Sequence, residues 1–433
     1  MGYMVQGLRI ALAGLGTVGC GVLKLLKDNA DLIERRTGRK IEVIAISARN
    51  KNRDRGIDLS RYDWVDDVVD LPKRDDIDLV IELIGGSEGP ALELARACLK
   101  KGIALITANK AMIAHHGMEL AELAESSQIP FAYEAAVAGG IPIIKGVKEG
   151  AAANEISQIF GILNGTSNFI LTTMEKDKRG FEDVLAEAQA LGYAEADPTF
   201  DIEGIDAAHK LAILSTLAFG TKLDFDSVKT SGIQTVTLSD MQKAAQMGYK
   251  IRLIGQAKKN TQGLFQKVSP CLVPCHHPLA QADGSLNAVV AQGNQVGRLL
   301  FEGAGAGAGP TASAVVADLV DIARGGYATP FGIPVQYLEK ADTEKADSDK
   351  QSVYIRLSIA NTAQAVSKLV VLLADADISL ESLNQQEGQD QETSDVILVT
   401  KACTSEAIEN LVKAFNGLAE IKSAPVTMDI LNI

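Results

Sequence analysis

The chain reads as an α/β protein with an N-terminal Rossmann-like parallel sheet, a central α+β region and a C-terminal ferredoxin-like domain. Three observations predict this. A glycine run follows the first apolar strand and opens a helix. Apolar strands alternate with helical patterns over residues 1–150. A strand–helix–strand–strand–helix–strand order closes the chain after a polar stretch.

The first strand, Leu8–Ala13, leads into Gly14-Leu15-Gly16-Thr17-Val18-Gly19 and a helix expected over Val18–Leu26. Together they make a dinucleotide-phosphate cradle. Gly14 allows a sharp turn, Gly16 lets backbone approach a pyrophosphate, and Gly19 lets the helix pack close to the strand. The helix N-terminus aims N–H groups at the phosphates. A tight turn in an unrelated sheet is the competing reading of so short a motif. Further strands are expected over Ile41–Ser47, Asp78–Ile84, Ile103–Thr107 and Phe131–Glu134. Carboxyl ends of parallel strands border the ligand crevice, which places Ser47, Gly85, Asn109 and Lys110 near a cofactor. The second strand ends in Ser47-Ala48-Arg49 without an acid at its tip. An acid there holds a ribose 2′-hydroxyl, whereas an arginine suits a 2′-phosphate, so NADP is expected, with NAD as the alternative. The competing reading of Arg49 is a solvated loop side chain.

From residue 151 the pattern changes. A strand over Ile156–Leu163 runs into Asn164-Gly165-Thr166-Ser167-Asn168, and a helix over Phe181–Leu191 stops at Gly192. The segment Tyr193–Asp206 is acidic, and an almost wholly apolar helix, Leu211–Phe219, follows it. Residues 249–301 are strand-rich, and the Ala/Gly run Gly303–Gly309 precedes a helix that reaches Arg324. Residues 340–351 are polar and aperiodic, as a linker would be. Beyond them, Val353–Ile359, Ile378–Leu383, Asp395–Thr400 and Pro425–Leu431 read as strands, and Ala365–Asp375 and Ser405–Phe415 as helices. The expected divisions are therefore 1–150, 151–330, a linker over 331–351, and 352–433. The helix over 311–325 is a candidate to pack back onto the first division.

Asp206 and Lys210 lie four apart and so share one helix face. A surface ion pair there would matter little. The apolar helix that follows argues instead for a lysine at the mouth of a buried element, facing a cleft. Lys110 sits at a strand's carboxyl end. If both lysines meet in the crevice, mutual repulsion eases proton donation by one of them to a developing alkoxide. Acids at 195, 201 and 206 suit a substrate amino group or orient a lysine. Cys271, Cys275, His276 and His277 suggest zinc only weakly, because adjacent histidines rarely both ligate and prolines bracket the segment.

A net charge of −13 counts against nucleic acid as a partner. No apolar stretch reaches a membrane span, no basic-then-apolar leader is evident, and five scattered cysteines fit a reducing compartment. A cytoplasmic protein is expected.

Several blocks in order resemble homoserine dehydrogenases that carry a C-terminal ACT domain. They are Gly14–Gly19, Glu82-Leu-Ile-Gly-Gly86, Thr107-Ala-Asn-Lys110, Glu134 to Pro142, Asn164 to Asn168, and Leu191-Gly-Tyr-Ala-Glu-Ala-Asp-Pro198 continuing through Asp201 to Lys210. His277 to Ala280, Gly305 to Gly307 and Pro310 to Ser313 complete the set. The resemblance implies reversible NAD(P)H-dependent reduction of L-aspartate 4-semialdehyde to L-homoserine, on the route to threonine, isoleucine and methionine. It implies Lys210 as proton donor and Lys110 as a second active-site lysine near both cofactor and substrate. Glu195 and Asp206 match substrate-binding acids, with Asp201 in support. Gly14, Gly16, Thr17, Val18, Gly19, Arg49, Lys110, Gly192 and Gly307 match cofactor contacts. Backbone carbonyls of Glu134, Val137, Gly139 and Ile141 match a sodium site. The resemblance also implies a homodimer or homotetramer, and with no kinase region ahead of the cradle the monofunctional form is expected. One departure stands out. ACT domains usually carry an Asp-x-Pro-Gly-like turn after the first strand, where this chain has Asn361-Thr362-Ala363-Gln364. That departure counts against an amino-acid effector such as threonine and favours a role in assembly. A nucleotide sensor without turnover is the rival reading, and the two lysines and acid cluster argue against it.

Overall fold

The computed structural model describes residues 7–261, 263–343, 350–387 and 392–432. Contacts divide the chain into two units. One comprises residues up to Gly165, Asp206–Val228 and Ser285–Ala341; the other comprises Thr166–Ile205, Lys229–Gly284 and Asp342 onward.

In the first unit, strands β1 (Leu8–Ala13), β2 (Ile41–Ser47), β3 (Asp63–Trp64), β4 (Leu79–Glu82), β5 (Ala104–Thr107) and β6 (Phe131–Ala132) form one parallel sheet. Their order is β3-β2-β1-β4-β5-β6. The order reverses between β1 and β4, which opens a crevice at their carboxyl ends. Ile10, Leu12, Ile46, Leu79 and Ile81 are buried together with Val22 of helix Thr17–Asp28 and with Ala312, Val315 and Leu319 of helix Ala308–Ala323. A chain segment from far along the sequence thus completes the core of the first sheet. Pro310 lies in the first turn of that helix, where a missing N–H costs nothing. Strands Ile156–Ile162, Leu286–Gly293 and Gly297–Ala304 form a separate antiparallel set in the same unit. Helix Ile205–Phe219 is buried almost all round, through Leu211, Ala212, Ile213 and Leu214 among others.

Several elements differ from their sequence expectation for local reasons. Strand β4 stops at Glu82 rather than Ile84, because the Glu82 carboxylate accepts the N–H groups of Ile84 and Gly85 and turns the chain. Strand β6 stops at Ala132, since Glu134 opens a tight helical turn through Ala136. Helix Ala30–Thr37 follows the first helix at once and buries only Ile33, too thin an apolar stripe to show as a period.

In the second unit, hairpin Tyr249–Asn260 and Gly263–Pro274 continues into Val426–Ile430, Ser352–Ala360, Thr393–Thr400 and Leu380–Glu387. The last four strands are antiparallel, and helices Ala363–Asp375 and Ser405–Asn416 pack against them through Leu369, Leu373, Leu411 and Phe415. That is the ferredoxin-like βαββαβ arrangement. Asp240 anchors it, accepting from the Tyr354 hydroxyl at 2.8 Å and from Arg356 Nε at 2.7 Å. Part of the expected linker, residues 344–349, lies outside the described residues.

The glycines of the first turn differ in what they must exclude. A Cβ on Gly19 would overlap the Gly14 carbonyl, whereas a Cβ on Gly16 would meet nothing within 4 Å. Gly19→Ala is therefore expected to cost about 1–3 kcal/mol of stability by overpacking. Gly16→Ala should stay within about 0.5 kcal/mol. Denaturant melts of the two variants check the contrast.

Candidate active site

The cradle is built by close backbone approaches. Gly14 has φ +102°, donates its N–H to the Ser47 carbonyl at 2.8 Å, and would place a Cβ 2.5 Å from the Leu83 carbonyl oxygen. Only glycine tolerates both the angle and the contact. Gly16 caps helix Thr17–Asp28, and Gly16 and Thr17 are exposed, with Val18 partly so. Helix Ala308–Ala323 lies alongside: a Cβ on Gly21 would sit 2.7 Å from the Ala308 carbonyl oxygen. Gly307, with φ +116°, immediately precedes that helix and so borders the start of the cradle. An open helix N-terminus with bare glycine backbone fits a dinucleotide pyrophosphate.

Arg49 is exposed in the loop after β2. The same loop carries Arg55, whose Nε donates to the Leu15 carbonyl inside the glycine turn at 3.1 Å. Arg55 and Lys51 both lie about 6 Å from the Trp64 ring, at 5.7 and 5.9 Å from its centre. Sequence reading singled out Arg49 and passed over Arg55. The alternation Arg49, Lys51, Arg53, Arg55 was the available signal.

The structure brings Lys110, Asp206 and Lys210 together around one carboxylate. Lys110 occupies the first position of helix Lys110–Ser127, whose cap is Asn109. Its Nζ lies 3.0 Å from Asp206 Oδ1. Lys210, one helical turn beyond Asp206, donates to Oδ2 at 2.7 Å and to the Leu163 carbonyl at 2.7 Å. Asn164 Nδ2 donates to the same Oδ2 at 2.8 Å. Burial by itself would raise the Asp206 carboxyl. The charges of Lys210 and Lys110, with the Lys210 and Asn164 donors, outweigh that and hold it well below the usual carboxylate range. The two ammonium groups therefore do not face each other bare, as the sequence reading had them. A shared anion lies between them.

Beside Lys210, His209 is buried against the Phe225 ring at 4.4 Å and the His115 ring at 5.2 Å. Burial, with the neighbouring His115 and the charges of Lys110 and Lys210, lowers its pKa to about 4 despite the nearby Asp206.

Glu195, Asp201 and Gly192 belong to the second unit. Glu195 is exposed, and the Gln189 side-chain amide donates to its carbonyl at 3.0 Å and to that of Ala196 at 3.3 Å. Thr166 Oγ1 donates to the Tyr193 carbonyl, and the Phe169 and Tyr193 rings stack at 4.7 Å, so the acidic loop is pinned at several points. Gly192 is exposed with φ +76°, ending helix Phe181–Ala190. Asp201 is half-buried, and its carbonyl accepts from Ser167 Oγ at 2.9 Å.

The segment holding Glu134, Val137, Gly139 and Ile141 reverses direction through two successive left-handed residues, Ala138 (φ +55°) and Gly139 (φ +53°). A Cβ on Gly139 would overlap the Gly305 carbonyl, and Gly140 donates to the Ala304 carbonyl at 3.1 Å. This loop therefore sits on the glycine run that leads to Gly307. Glu134 accepts from the N–H groups of Ile144 and Lys145 through its carboxylate, and its own N–H donates to Asp318. Burial and the Asp318 charge push the Glu134 carboxyl up to about 7. Among the described residues no group of His, Cys, Asp and Glu side chains could hold a metal ion.

The two shifted groups of the Lys210 helix act in different pH windows. His209 takes up a proton near pH 6.5 when unfolded and near 4 when folded, so stability falls as pH drops through that interval, at most about 1.4 kcal/mol per unit. Asp206, depressed in the fold, contributes fully above the unfolded carboxyl value near 4 and loses its contribution below it. His209→Gln should flatten the acid slope between pH 6.5 and 4 and leave the slope below 4 in place. Denaturant melts across pH measure both.

Residues 14–134 match the family described as homoserine dehydrogenase, NAD binding domain, and residues 142–320 match homoserine dehydrogenase. The homoserine dehydrogenase of Neisseria gonorrhoeae is 42% identical over 98% of each chain. A crystal structure of a homoserine dehydrogenase from Thiobacillus denitrificans superposes with TM-score 0.92 at 39% identity, over 99% of this chain and 100% of that one. A hyperthermophilic archaeal homoserine dehydrogenase mutant, solved in complex with NADPH, aligns with TM-score 0.63 at 27% identity over 73% of this chain and 97% of its own. Among the described residues no helix is long and apolar enough to cross a membrane. With its glycine cradle, its lysine-flanked carboxylate and relatives matched along nearly the whole length, the chain belongs to the homoserine dehydrogenase family of NAD(P)-dependent oxidoreductases.

Proposed function

We propose that the chain interconverts L-aspartate 4-semialdehyde and L-homoserine, with Lys210 moving the proton and NADP as the preferred cofactor. The observation that carries this reading is the Asp206 carboxylate gripping Lys110 and Lys210 inside the unit that also holds the glycine cradle. When bound, the nicotinamide supplies or accepts the hydride. Lys210 Nζ, oriented by Asp206 and the Leu163 carbonyl, donates a proton to the carbonyl oxygen during reduction and takes it back in the reverse direction. Lys110, on the other oxygen of the same carboxylate, helps hold the substrate oxygen. Asp206 binds substrate and orients the two ammonium groups, since each of its oxygens meets a lysine and keeps further acceptor capacity. Glu195, with Asp201 in support, receives the substrate's ammonium group.

Gly14, Gly16, Thr17, Val18 and Gly19 cradle the pyrophosphate, with Gly192 and Gly307 as further cofactor contacts. Arg49 meets a 2′-phosphate, and the neighbouring cations Lys51, Arg53 and Arg55 support that choice. A structural sodium ion is held by the carbonyls of Glu134, Val137, Gly139 and Ile141. The tight reversal at Ala138-Gly139 supports it, and oxygen ligands suit a hard cation. Residues 352–433 form an ACT-like domain used in assembly, in a cytoplasmic homodimer or homotetramer. Asn361 accepts from Ser394 Oγ at 2.9 Å, so the turn that would meet an effector is engaged within its own sheet.

Lys210→Ala should lower kcat at least about a hundredfold while circular dichroism shows a folded protein. Near-normal turnover with homoserine and NADP would remove Lys210 from the proton-transfer role. Arg49→Ala should weaken NADP binding about tenfold and NAD binding far less, as loss of a charge-assisted hydrogen bond requires. Equal losses in a fluorescence titration would sink the 2′-phosphate assignment.

A further inference from the structure

Glu82 is wholly buried at the carboxyl end of β4, in register with Ala13 of β1 on one side and Thr107 of β5 on the other. A carboxyl group in the floor of a parallel sheet is costly to desolvate, and an apolar residue would pack there without that cost. What surrounds it is a set of donors. Oε1 accepts from the Ile84 N–H at 2.6 Å and the Gly85 N–H at 3.2 Å, and Oε2 accepts from the Thr107 hydroxyl at 2.5 Å. The Thr107 oxygen in turn accepts from the Asn109 N–H at 3.0 Å. Asn109 completes the ring: its Nδ2 donates to the Gly86 carbonyl at 2.7 Å, and its Oδ1 accepts from the Met112 N–H at 3.1 Å, capping the helix. The next residue is Lys110. Gly85 and Gly86 take φ near +87° and +85° to follow this path, angles that a residue with a side chain would adopt only under strain.

We infer that Glu82 is a positioning residue, whose buried carboxylate acts through Thr107 and Asn109 to set the place of Lys110 at the crevice. This rests on the active-site role proposed for Lys110. The Lys110 side chain reaches Asp206 from the first turn of its helix, so a shift of that turn moves Nζ relative to the anion it shares with Lys210. Misplacement of an active-site group by about 1 Å costs on the order of a hundredfold in rate. A neutral amide at 82 keeps the shape but puts its N–H group either where Oε2 accepts from the Thr107 hydroxyl, which must then turn to accept, or against the Ile84 and Gly85 N–H donors.

A double-mutant cycle separates this role from a merely structural one. Glu82→Gln should lower kcat about 10- to 100-fold in the wild-type background and less than about twofold in the Lys110→Ala background. Thr107→Val should reproduce the loss and Thr107→Ser should restore turnover, because only the hydroxyl link is needed. Equal losses from Glu82→Gln in both backgrounds, or wild-type kcat in folded Glu82→Gln, would overturn the inference. Near-normal turnover of Lys110→Ala alone would instead remove the Lys110 role on which it rests. Should Glu82→Gln fail to fold, the Thr107 pair decides: full activity of Thr107→Val overturns the proposal, and a loss rescued by serine sustains it.

Discussion

The arrangement depends on one buried anion. Asp206 has a side chain 6% exposed and is met by Lys110, Lys210 and Asn164. Desolvating ions costs several kcal/mol each, and breaking such a pair by removing one partner typically costs about 3–5 kcal/mol. The contact therefore holds together three pieces of chain. Asp206 and Lys210 come from one helix, Lys110 from the turn after β5, and Asn164 from the end of strand Ile156–Ile162. The same contacts hold the Lys210 ammonium in place, between an anion and a carbonyl acceptor.

Elsewhere in the same unit, small residues let separate backbones touch. Gly14 admits the loop after β4, Gly21 admits the N-terminus of helix Ala308–Ala323, and Gly139 admits the run that ends at Gly307. Each contact joins segments distant in sequence. The polar ring through Glu82, Thr107 and Asn109 acts in the same way by hydrogen bonding. Rigid elements carry the functional groups, and the loops between them are fixed by backbone contacts.

The C-terminal βαββαβ domain shows the same economy. Its edge strand Val426–Ile430 pairs in parallel with Gly263–Pro274, so the sheet continues from one segment of the second unit into the other. Asp240 adds a buried charge contact to Arg356 and a hydrogen bond to Tyr354. An exposed strand edge is thereby covered within the chain.

Much was legible in sequence order because the physics is local. Glycine spacing at 14, 16 and 19 marks the cradle, the four-residue step from Asp206 to Lys210 fixes their common face, and strand–helix alternation announces a parallel sheet. Other features were decided only in three dimensions. Lys110 meeting the Asp206 carboxylate, Arg55 folding back on the glycine turn, and Glu82 knotting two strand ends all join residues separated by tens of positions. No periodicity records such contacts, since burial and charge compensation belong to whichever distant segments the fold brings together.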